Sequence, residues 1–323
     1  MNILVTGGTG FLGRHLVQAL LEHGHNIFCM GRDFTRVQEQ LAAGAQPVHA
    51  DLRVASAVIA ACEHMDAVYH AGAFSAPWGR RRDFYEINVD GTEALIAGCR
   101  RYGVRRLIYI SSPSVVFDGQ DQHNITESAA YPRHFASLYS RTKKLGEDRI
   151  NVVKELETVI VRPKAIFGPG DQTLLPRLLE AAKQKRLPQI GNGQNLVDLT
   201  YVGNVVHALL LALEAPAAVG NTYFVTNDEH ILLWQVIRTV LRENRLSTDL
   251  RTIPLSVALA AAGLMELRAA LTKKEPLLTR YSVQILARTQ TYDISALKRD
   301  LNYAPLISVA EGVERTLASW KES

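Results

Sequence analysis

Short apolar runs rich in β-branched residues alternate with longer amphipathic stretches through the first half of the chain. The runs are NILVT, NIFCM, PVHAD, AVYHA, RLIYIS and TVIVR, between residues 2 and 162. Each run has the length of a strand, and the stretches between them are long enough for helices. Alternating strands and helices indicate right-handed βαβ crossovers. The pattern therefore predicts an α/β fold with a doubly wound parallel sheet.

The regular alternation ends after residue 165. Prolines 169, 176 and 188, with several glycines among them, interrupt the pattern, and a mixed region continues to the end of the chain. Proline and glycine are the residues that most strongly break regular elements. We therefore predict a sheet domain over residues 1–165 and a smaller, substrate-side portion over residues 166–323 that is partly interleaved with it.

The first predicted strand leads into a glycine-rich turn, TGGTGFLG at residues 6–13. Gly7 permits a tight turn, Gly10 lets the backbone approach a pyrophosphate, and Gly13 lets the helix pack closely on the strand. The N-terminus of the following helix offers free N–H groups and a partial positive charge to phosphates. Because this turn follows the first strand, it predicts a Rossmann-type dinucleotide-binding domain rather than a structural turn alone.

The composition narrows the function classes. The chain has 323 residues, 47% of them hydrophobic and 21% charged, which is typical of a globular protein. Its three cysteines lack CxxC pairing, so neither a disulfide framework nor a metal site is predicted. With no signal-peptide pattern at the N-terminus, this predicts a cytoplasmic protein. The net charge of +4 is scattered, and GRRRD at 79–83 has no interleaved aromatics, so nucleic acid is not an expected partner.

The choice between the two nicotinamide dinucleotides depends on the end of the second strand, which reads CMGRDFTR. An acidic residue there binds the ribose 2′-hydroxyl, whereas an arginine accommodates a 2′-phosphate. Arg32 comes first, Arg36 follows one turn later, and Asp33 is placed to cap the next helix. We therefore expect NADP rather than NAD, with Arg32 as a solvated loop charge left as the alternative. Asp51 is placed either to accept from the adenine amino group or to cap a helix.

Several motifs together resemble the extended short-chain dehydrogenases/reductases. They are TGGTGFLG, HADL, HAGA at 70–73, INVDGT at 87–92, SSPSVVF at 111–117, YSRTK at 139–143, VRPKAIFGPGD at 161–171 and DLTYVGNV at 198–205. The tail, with KEPLLTRYSV and YDISALKRDLNYAP, is most similar to the 3β-hydroxysteroid dehydrogenase branch. That branch includes sterol dehydrogenases and bacterial reductases of 2-alkyl-3-oxo acids. The resemblance implies an oxidoreductase that interconverts a ketone and a secondary alcohol on a lipophilic substrate.

The resemblance also implies site residues. The cofactor would be held by Gly7, Thr9, Gly10, Phe11, Leu12, Gly13, Arg32, Asp51, Leu52, Ala71, Gly72, Ala73, Tyr139, Lys143, Pro163 and Ile166. The catalytic group would be Ser112, Tyr139 and Lys143, and the substrate side would include Ser75, Trp78 and Ser114.

The catalytic types suit carbonyl reduction. Hydride transfer leaves negative charge on the substrate oxygen, which needs a proton as that charge develops. A phenol with a pKa near 10 is a poor base at neutral pH, and a lysine ammonium one turn away favours the phenolate. Tyr139 and Lys143 have this spacing, and Ser112 would hydrogen-bond the same oxygen. On spacing alone, an ordinary Tyr–Lys pair on a half-exposed helix is the favoured interpretation.

Some alternatives stay open. Ser114 could replace Ser112 if the strand end shifts by one residue. Sugar-nucleotide dehydratases carry an Asp-Glu pair after the equivalent hydroxyl, and Pro113 and Ser114 stand there instead, so dehydration is not expected. Epimerisation needs the same residues as oxidoreduction and remains an alternative, as does a non-catalytic dinucleotide sensor. His70 and His207 are expected to be interior or edge histidines.

Residues 253–271, IPLSVALAAAGLMELRAAL, are apolar until Glu266 and Arg268. The run falls short of the roughly 20 apolar residues of a membrane span. It predicts either a buried core helix or a mobile cover that contacts a lipophilic substrate and rests on a membrane surface. The second alternative makes peripheral membrane contact an expectation. The resemblance adds a homodimer formed through the helices at GTEALIAGCRR and YSRTKKLGEDRI.

Overall fold

The computed structural model describes residues 1–171, 175–272 and 274–321. Its strands are β1 (Asn2–Thr6), β2 (Asn26–Gly31), β3 (Gln46–His49), β4 (Ala67–His70), β5 (Arg106–Ile110), β6 (Gln122–Ile125), β7 (Glu157–Pro163), β8 (Ile166–Phe167), β9 (Gln189–Ile190), β10 (Leu196–Asp198), β11 (Thr200–Tyr201), β12 (Thr222–Val225), β13 (His230–Leu232), β14 (Thr252–Ile253) and β15 (Gln290–Tyr292).

Its α-helices are α1 (Phe11–Glu22), α2 (Gln38–Ala42), α3 (Ala55–Ala60), α4 (Arg81–Tyr85), α5 (Gly91–Tyr102), α6 (Leu138–Asn151), α7 (Leu175–Lys183), α8 (Val202–Glu214), α9 (Leu233–Glu243), α10 (Leu255–Thr272), α11 (Arg280–Ala287), α12 (Ser295–Leu301) and α13 (Val309–Lys321). A π-helical turn, Glu86–Asp90, joins α4 to α5.

The main sheet has seven parallel strands in the order β12-β7-β5-β4-β1-β2-β3. All six predicted strands lie in it, which confirms the doubly wound α/β fold. Strand order reverses beside β1, because the chain runs from β1 outward to β3 and then returns through β4 on the other side. In such sheets ligands bind outside the carboxyl ends of the strands, at this point of reversal.

The seventh strand of the sheet, β12, comes from the second portion of the chain and pairs with β7, with Tyr223 opposite Val161. The periodicity of the sequence did not predict it. The two portions therefore share one sheet, while the boundary at residue 165 stays a prediction. Three small sheets are built from the remaining strands, in the orders β13-β10-β15-β6, β11-β8 and β14-β9.

Helices cover both faces of the main sheet. Ile3 and Val5 pack on one side with Leu16 of α1 and Leu209 of α8. Leu4 faces the other side, in a cluster that includes side chains of α3, α5 and α6. Successive side chains of a strand alternate between the two faces, and both faces are buried here, which explains the continuous apolar runs in the sequence.

Helix α6 lies unusually close to the sheet because of Gly146. A Cβ placed on Gly146 would lie 2.1 Å from the phenol oxygen of Tyr109 in β5, a separation that real Cβ atoms do not show. Since Gly146 lies between Lys143 and Glu147, it sets the distance from the sheet of the helix turn that carries both side chains.

The apolar stretch at 253–271 forms most of α10. The helix buries Ala258, Ala262 and Ala269, while Leu264 and Leu271 are 70% and 79% exposed. The expectation of a buried core helix is therefore wrong, because protein covers only the alanine side. By length and composition, α10 is the one helix in the described part of the chain that could cross a membrane.

Candidate active site

The glycine turn joins the end of β1 to the start of α1. Gly7 has a φ of +65°, and a Cβ on it would lie 2.6 Å from the Cα of Gly72. A Cβ on Gly13 would lie 2.1 Å from the carbonyl oxygen of Gly7. Both positions therefore require glycine. Gly10 precedes the helix without a side-chain cap, so the first N–H groups of α1 are open to an anion.

Behind the turn, a buried network fixes the end of β4. The Thr92 hydroxyl donates to the carbonyl of Asn88 at 2.8 Å, so the 3.0 Å bond to His70 has Nε2 of His70 as its donor. His70 Nδ1 then accepts from the Thr6 hydroxyl at 2.7 Å, and that oxygen accepts from the N–H of Gly72 at 3.2 Å. Burial lowers the pKa of His70 to about 3, with Lys143 adding to the shift, so the ring is neutral. His70 is the interior histidine that the sequence predicts.

Asp51 and Arg32 lie side by side next to the turn. The carboxylate of Asp51 accepts from the N–H and the guanidinium of Arg53, at 2.6 Å for the shortest bond, and Arg32 Nη1 lies 3.6 Å away. The hydrogen bonds from Arg53 lower the pKa of Asp51 to about 2. Asp51 does not cap α3, which begins after Val54. Both oxygens of Asp51 accept hydrogen bonds from the Arg53 guanidinium, whereas the side chain of Arg32 is 67% exposed.

The expected cap by Asp33 is also wrong. Its carboxylate accepts from the N–H of Thr35 at 2.9 Å, which closes a turn, and α2 begins later, after Val37. The intervening turn explains the difference, because a short polar side chain often bonds to the backbone two residues on.

The predicted catalytic side chains come from two neighbouring elements. Ser112 follows β5 and accepts from the N–H of Ser114 at 3.2 Å, which starts the 3₁₀ turn Pro113–Val116. Tyr139 and Lys143 lie one turn apart on α6, whose N-terminus is capped by Ser137. Burial raises the pKa of Tyr139 above its ordinary value, and interaction with the Ser112 hydroxyl lowers it in part. The structure therefore brings Ser112 and Tyr139 together.

Lys143 is 1% exposed, and its ammonium lies 3.8 Å from the centre of the Tyr109 ring. Burial lowers its pKa to about 7, and Glu147 opposes that shift. Glu147 is itself bound by Arg162, at 2.8 and 2.7 Å. Within the residues that the structure describes, Nζ of Lys143 has no hydrogen-bond acceptor, so its donors are available to a bound group. The expected lowering of the pKa of Tyr139 by Lys143 is not seen: burial raises that pKa, Tyr281 adds to the rise, and the Ser112 hydroxyl is the group that opposes it.

A second tyrosine belongs to the site, and the sequence analysis gave it no role. Tyr281 of α11 lies near enough to Tyr139 for a charge on its phenol to raise the pKa of Tyr139, and its ring lies 6.5 Å from that of Phe117. Burial raises the pKa of Tyr281 to about 12, and the Ser114 hydroxyl opposes the rise. Ser114 Oγ is buried and makes no hydrogen bond of normal geometry within the described residues. No spacing rule links Tyr281 to Tyr139, since they lie on distant segments.

The substrate-side loop is tied to α6 through Asn88 in the π-helical turn. Asn88 exchanges hydrogen bonds with the backbone of Phe74, at 2.7 and 3.1 Å, and donates to the Thr142 hydroxyl at 3.0 Å. Of the predicted substrate residues in this loop, Ser75 is exposed and Trp78 is partly buried. Asn88 lies in the motif INVDGT, but nothing in its spacing indicates this role.

The remaining predicted cofactor residues lie near the same edge. Leu52 packs against Gly72, since a Cβ on Gly72 would lie 2.8 Å from Cδ1 of Leu52. Leu12 and Ile166 border the same apolar cluster. The others lie at or just after strand ends, or in the glycine turn: Thr9, Phe11, Ala71, Ala73 and Pro163. Because the strands are parallel, their carboxyl ends meet at one edge.

This fold, with its glycine turn and the Ser112, Tyr139 and Lys143 group, is that of an extended short-chain dehydrogenase/reductase. The sequence model of the 3-beta hydroxysteroid dehydrogenase/isomerase family matches residues 4–256, and the chain belongs to that family. The assignment confirms the prediction of an enzyme, a dehydrogenase or reductase of CH–OH and C=O groups.

Two named relatives match the chain over nearly its whole length. The 2-alkyl-3-oxoalkanoate reductase of Stenotrophomonas maltophilia (strain K279a) is 35% identical over 331 residues, covering 99% of each chain. The sterol-4-alpha-carboxylate 3-dehydrogenase, decarboxylating, of Mus musculus is 36% identical over 332 residues, covering 98% of this chain and 90% of the mouse protein.

Among solved structures, the UDP-glucuronic acid 4-epimerase of Bacillus cereus in complex with NAD has a TM-score of 0.77. It is 23% identical, over 100% of this chain and 99% of that one. At this identity the likeness shows the fold. Together the comparisons support a nicotinamide dinucleotide as the cofactor and do not distinguish NADP from NAD.

Proposed function

We propose that this enzyme is an NADP(H)-dependent oxidoreductase that interconverts a 3-oxo and a 3-hydroxy group on a lipophilic carboxylic acid. The observation that carries the proposal is the meeting of Ser112 and Tyr139 beside Lys143, at the sheet edge where the glycine turn lies. The class of reaction follows from the family. The substrate class is inferred from the relatives.

The printed names of the two relatives describe related chemistry. In a 2-alkyl-3-oxoalkanoate, the ketone carbon is next to a branched carbon that bears the carboxylate. In a sterol with a 4α-carboxylate, carbon 3 is likewise next to the carbon that bears the carboxylate. Both names thus describe a β-oxo or β-hydroxy acid with a bulky apolar body, and we propose the same class for this chain. Steroid-like and long-chain 3-oxoacyl bodies both fit it.

The residues present fit a nicotinamide dinucleotide. The glycine turn and the open N–H groups of α1 would hold its pyrophosphate, and the free donors of Lys143 would hold the nicotinamide ribose. When bound, this cofactor supplies or accepts a hydride. We propose NADP over NAD, since Arg32 is exposed at the end of β2 and Asp51 is occupied by Arg53.

In the proposed mechanism, Tyr139 is the acid and base. Its raised pKa keeps the phenol protonated at neutral pH, so in the reductive direction it can donate to the carbonyl oxygen as negative charge develops there. Ser112 donates a hydrogen bond to the same oxygen, and the Lys143 ammonium stabilises the phenolate left behind. Ser114 is the alternative hydroxyl, because it is buried and has no hydrogen-bond partner among the described residues, so it can donate to the substrate.

The location and the dimer remain part of the proposal. All three cysteines are buried and free, which supports a reducing, cytoplasmic compartment. The proposed homodimer would form through α5 and α6, which pack on each other within one chain. Gel filtration with light scattering, which gives the mass of the protein in solution, tests for the dimer.

The substrate proposal is tested by following NADPH absorbance with four substrates. They are a 2-alkyl-3-oxo acid, a 3-ketosteroid, a small aldehyde and a nucleotide sugar, with Tyr139→Phe as the inactive control. We expect kcat/KM to be highest for the 3-oxo acid and to increase with its apolar bulk. A preference for the aldehyde or the nucleotide sugar would refute a lipophilic substrate.

A further inference from the structure

Lys164, directly after β7, is a buried lysine that the proposed mechanism does not use. It is 7% exposed, and its Nζ donates to Oε1 of Gln290 in β15 at 2.6 Å. Burial lowers its pKa to about 8, and the nearby Asp198 opposes that shift. The oxygens of Asp198 bond instead to the N–H of Tyr292 at 2.7 Å and to Nδ1 of His230 at 2.6 Å. An ammonium carries three donors, so two of those on Lys164 have no acceptor in the described part of the chain.

Two more donors without acceptors lie beside Lys164. Gln290 is 1% exposed, and its Nε2 makes no hydrogen bond within the described residues. Tyr292 lies two positions further along β15, on the same side of the strand, and its ring centre is 5.6 Å from Nζ of Lys164. The Tyr292 hydroxyl is buried and has no partner among the same residues. We call Lys164, Gln290 and Tyr292 the donor cluster. Buried polar groups in folded proteins are nearly always hydrogen-bonded, so these donors indicate an acceptor that belongs to a bound molecule.

The donor cluster lies at the same edge of the sheet as the proposed catalytic group. Ser112 follows β5 and Lys164 follows β7, and these two strands are neighbours in the main sheet. Two positions before Lys164, Arg162 points to α6, where it binds Glu147. Side chains two positions apart on an extended chain lie on one side, so Lys164 also faces the side of the sheet that carries Tyr139.

Tyr281 of α11 is close to both groups. Burial raises the pKa of Tyr139 and of Tyr292, and Tyr281 adds to the rise at each of these phenols. The donor cluster and the proposed proton donor therefore border the same side chain, and one substrate can reach both.

We propose that the donor cluster binds the carboxylate of the substrate while the ketone or alcohol carbon lies against Tyr139. The inference rests on the proposed function, because it places the acid group that the names of both relatives describe. The carboxylate would accept from the Lys164 ammonium, from Nε2 of Gln290 and from the Tyr292 hydroxyl. Hydrogen bonds between ionised groups are roughly twice as strong as neutral ones. A carboxylate and an ammonium are each unfavourable when buried alone, and their pairing offsets much of that desolvation.

This assignment makes the acid group a determinant of specificity. In the proposed substrates the carboxylate is attached to the carbon next to the one that carries the oxygen, so the donor cluster would fix the position of the reacting carbon. A site that hydrogen-bonds a substrate group rejects an analogue that lacks the group, since the buried donors are then left without a partner. Neutral ketones and alcohols with the same apolar body should therefore be poor substrates.

The test compares a 2-alkyl-3-hydroxyalkanoate with its methyl ester, which has the same apolar body and no charge. The hydroxy acid is chosen because 3-oxo acids readily lose carbon dioxide in solution. Oxidation is followed by the absorbance of the reduced cofactor. We expect the wild type to favour the acid at least about tenfold in kcat/KM, the lower limit for a hydrogen bond to a charged group.

Lys164→Met should lower kcat/KM for the acid at least about tenfold, mainly through KM, and leave the ester within about threefold of the wild type. Gln290→Glu is nearly isosteric, but its carboxylate would pair with Lys164 and repel the acid. It should likewise lose the acid and keep the ester. Lys154→Met is the matched control, since Lys154 is exposed between α6 and β7, and it should retain the wild-type preference.

A second measurement needs no turnover. Decanoate should raise the melting temperature of the wild type more than decanol does, and Lys164→Met should lose that difference. Melting curves without ligand establish that each variant is folded. Gln290→Glu, which adds an ion pair with Lys164, replaces Lys164→Met in the comparison if the latter does not fold.

Equal losses for the acid and the ester in Lys164→Met would overturn the carboxylate site and leave the oxidoreductase function standing. If the wild type oxidises neither compound, the proposed function is refuted and the decanoate measurement decides the site by itself. A decanoate shift that is unchanged in Lys164→Met would then refute the site as well, whereas a shift that depends on Lys164 would uphold it.

Discussion

Tyr281 of α11 lies near enough to Tyr139 on α6 for a charge on its phenol to raise the pKa of Tyr139. The proposed proton donor is therefore enclosed partly by a helix from the second portion of the chain, and not by the sheet domain alone. The Tyr281 ring also packs edge-to-face against Phe117, so Tyr281 contributes a neutral aromatic surface to the site.

We expect Tyr281→Ala to raise KM for a bulky ketone about two- to tenfold, because an aromatic contact of roughly 0.5 to 1.5 kcal/mol is removed. Tyr281→Phe keeps the ring and should stay within a few-fold of the wild type in both kcat and KM. Steady-state kinetics on the two variants measures this. If Tyr281→Phe loses kcat as strongly as Tyr139→Phe does, the phenol of Tyr281 takes part in proton transfer and the packing role is mistaken.

Tyr139→Phe should lower kcat by about 100-fold or more, the usual contribution of a positioned acid. Cofactor affinity should stay near the wild-type value, since Lys143 and the glycine turn are intact. Turnover assays and NADPH fluorescence titration provide the two readouts, with Tyr102→Phe on α5 as a control. A folded Tyr139→Phe protein with substantial turnover would remove Tyr139 from the mechanism.

Ser112→Ala should change the pH dependence of oxidation. Interaction with Ser112 lowers the pKa of Tyr139, so its loss raises that pKa further. Oxidation requires the phenolate, so the oxidation rate of the wild type should increase with pH. In Ser112→Ala the same increase should occur at a higher pH. Profiles of kcat/KM from pH 6 to 10 test the shift. If the variant is slower but its rate depends on pH as that of the wild type does, Ser112 acts on the substrate alone.

Arg32→Ala should weaken NADPH binding by about 1.5 to 3 kcal/mol, the range for a hydrogen bond to a charged group. NADH, which lacks the 2′-phosphate, should bind almost as before. Arg105→Ala is the control, because Arg105 is exposed and precedes β5, at the opposite edge of the sheet. Equal losses for both cofactors would mean that Arg32 has a structural role and that the preference for NADP is wrong.

Lys143→Met should stabilise the cofactor-free fold at neutral pH while abolishing activity. Burial lowers the pKa of Lys143 to about 7, against an ordinary value near 10.5, so the unfolded chain holds one more proton between these values. Wild-type stability should therefore rise with pH across that range, and the advantage of Lys143→Met should shrink by pH 10. Melting curves at pH 6, 8 and 10 measure it.

Lys144→Met is the matched control, since the neighbouring Lys144 is partly exposed and paired with Asp148 at 2.6 Å. It should give no pH-dependent gain. If the difference in melting temperature between the wild type and Lys143→Met is the same at all three pH values, burial of the Lys143 amine does not destabilise the fold in this way.

Six of the seven strands of the main sheet could be predicted from the sequence, because each is a short apolar run in a regular alternation with longer amphipathic stretches. The sequence did not predict β12, since TYFV lies in the irregular second portion and is a strand only because it pairs with β7. The glycine turn and the Tyr139–Lys143 pair could be recognised in the sequence because their residues are close together along the chain. Tyr281 and the commitment of Asp51 to Arg53 depend on contacts that spacing does not encode. The exposure of α10 could not be predicted either, because an apolar helix has the same sequence whether protein covers one side or all of it.

Gly146 has an effect on how this enzyme tolerates mutation. An added methyl there would collide with the phenol of Tyr109. We expect a small outward shift of α6 to relieve that collision. That shift would carry Tyr139 and Lys143 away from Ser112 while leaving most of the hydrophobic core in place. A survey of random variants scored for both folding and turnover should therefore find position 146 among those where activity disappears in protein that still accumulates as a folded species.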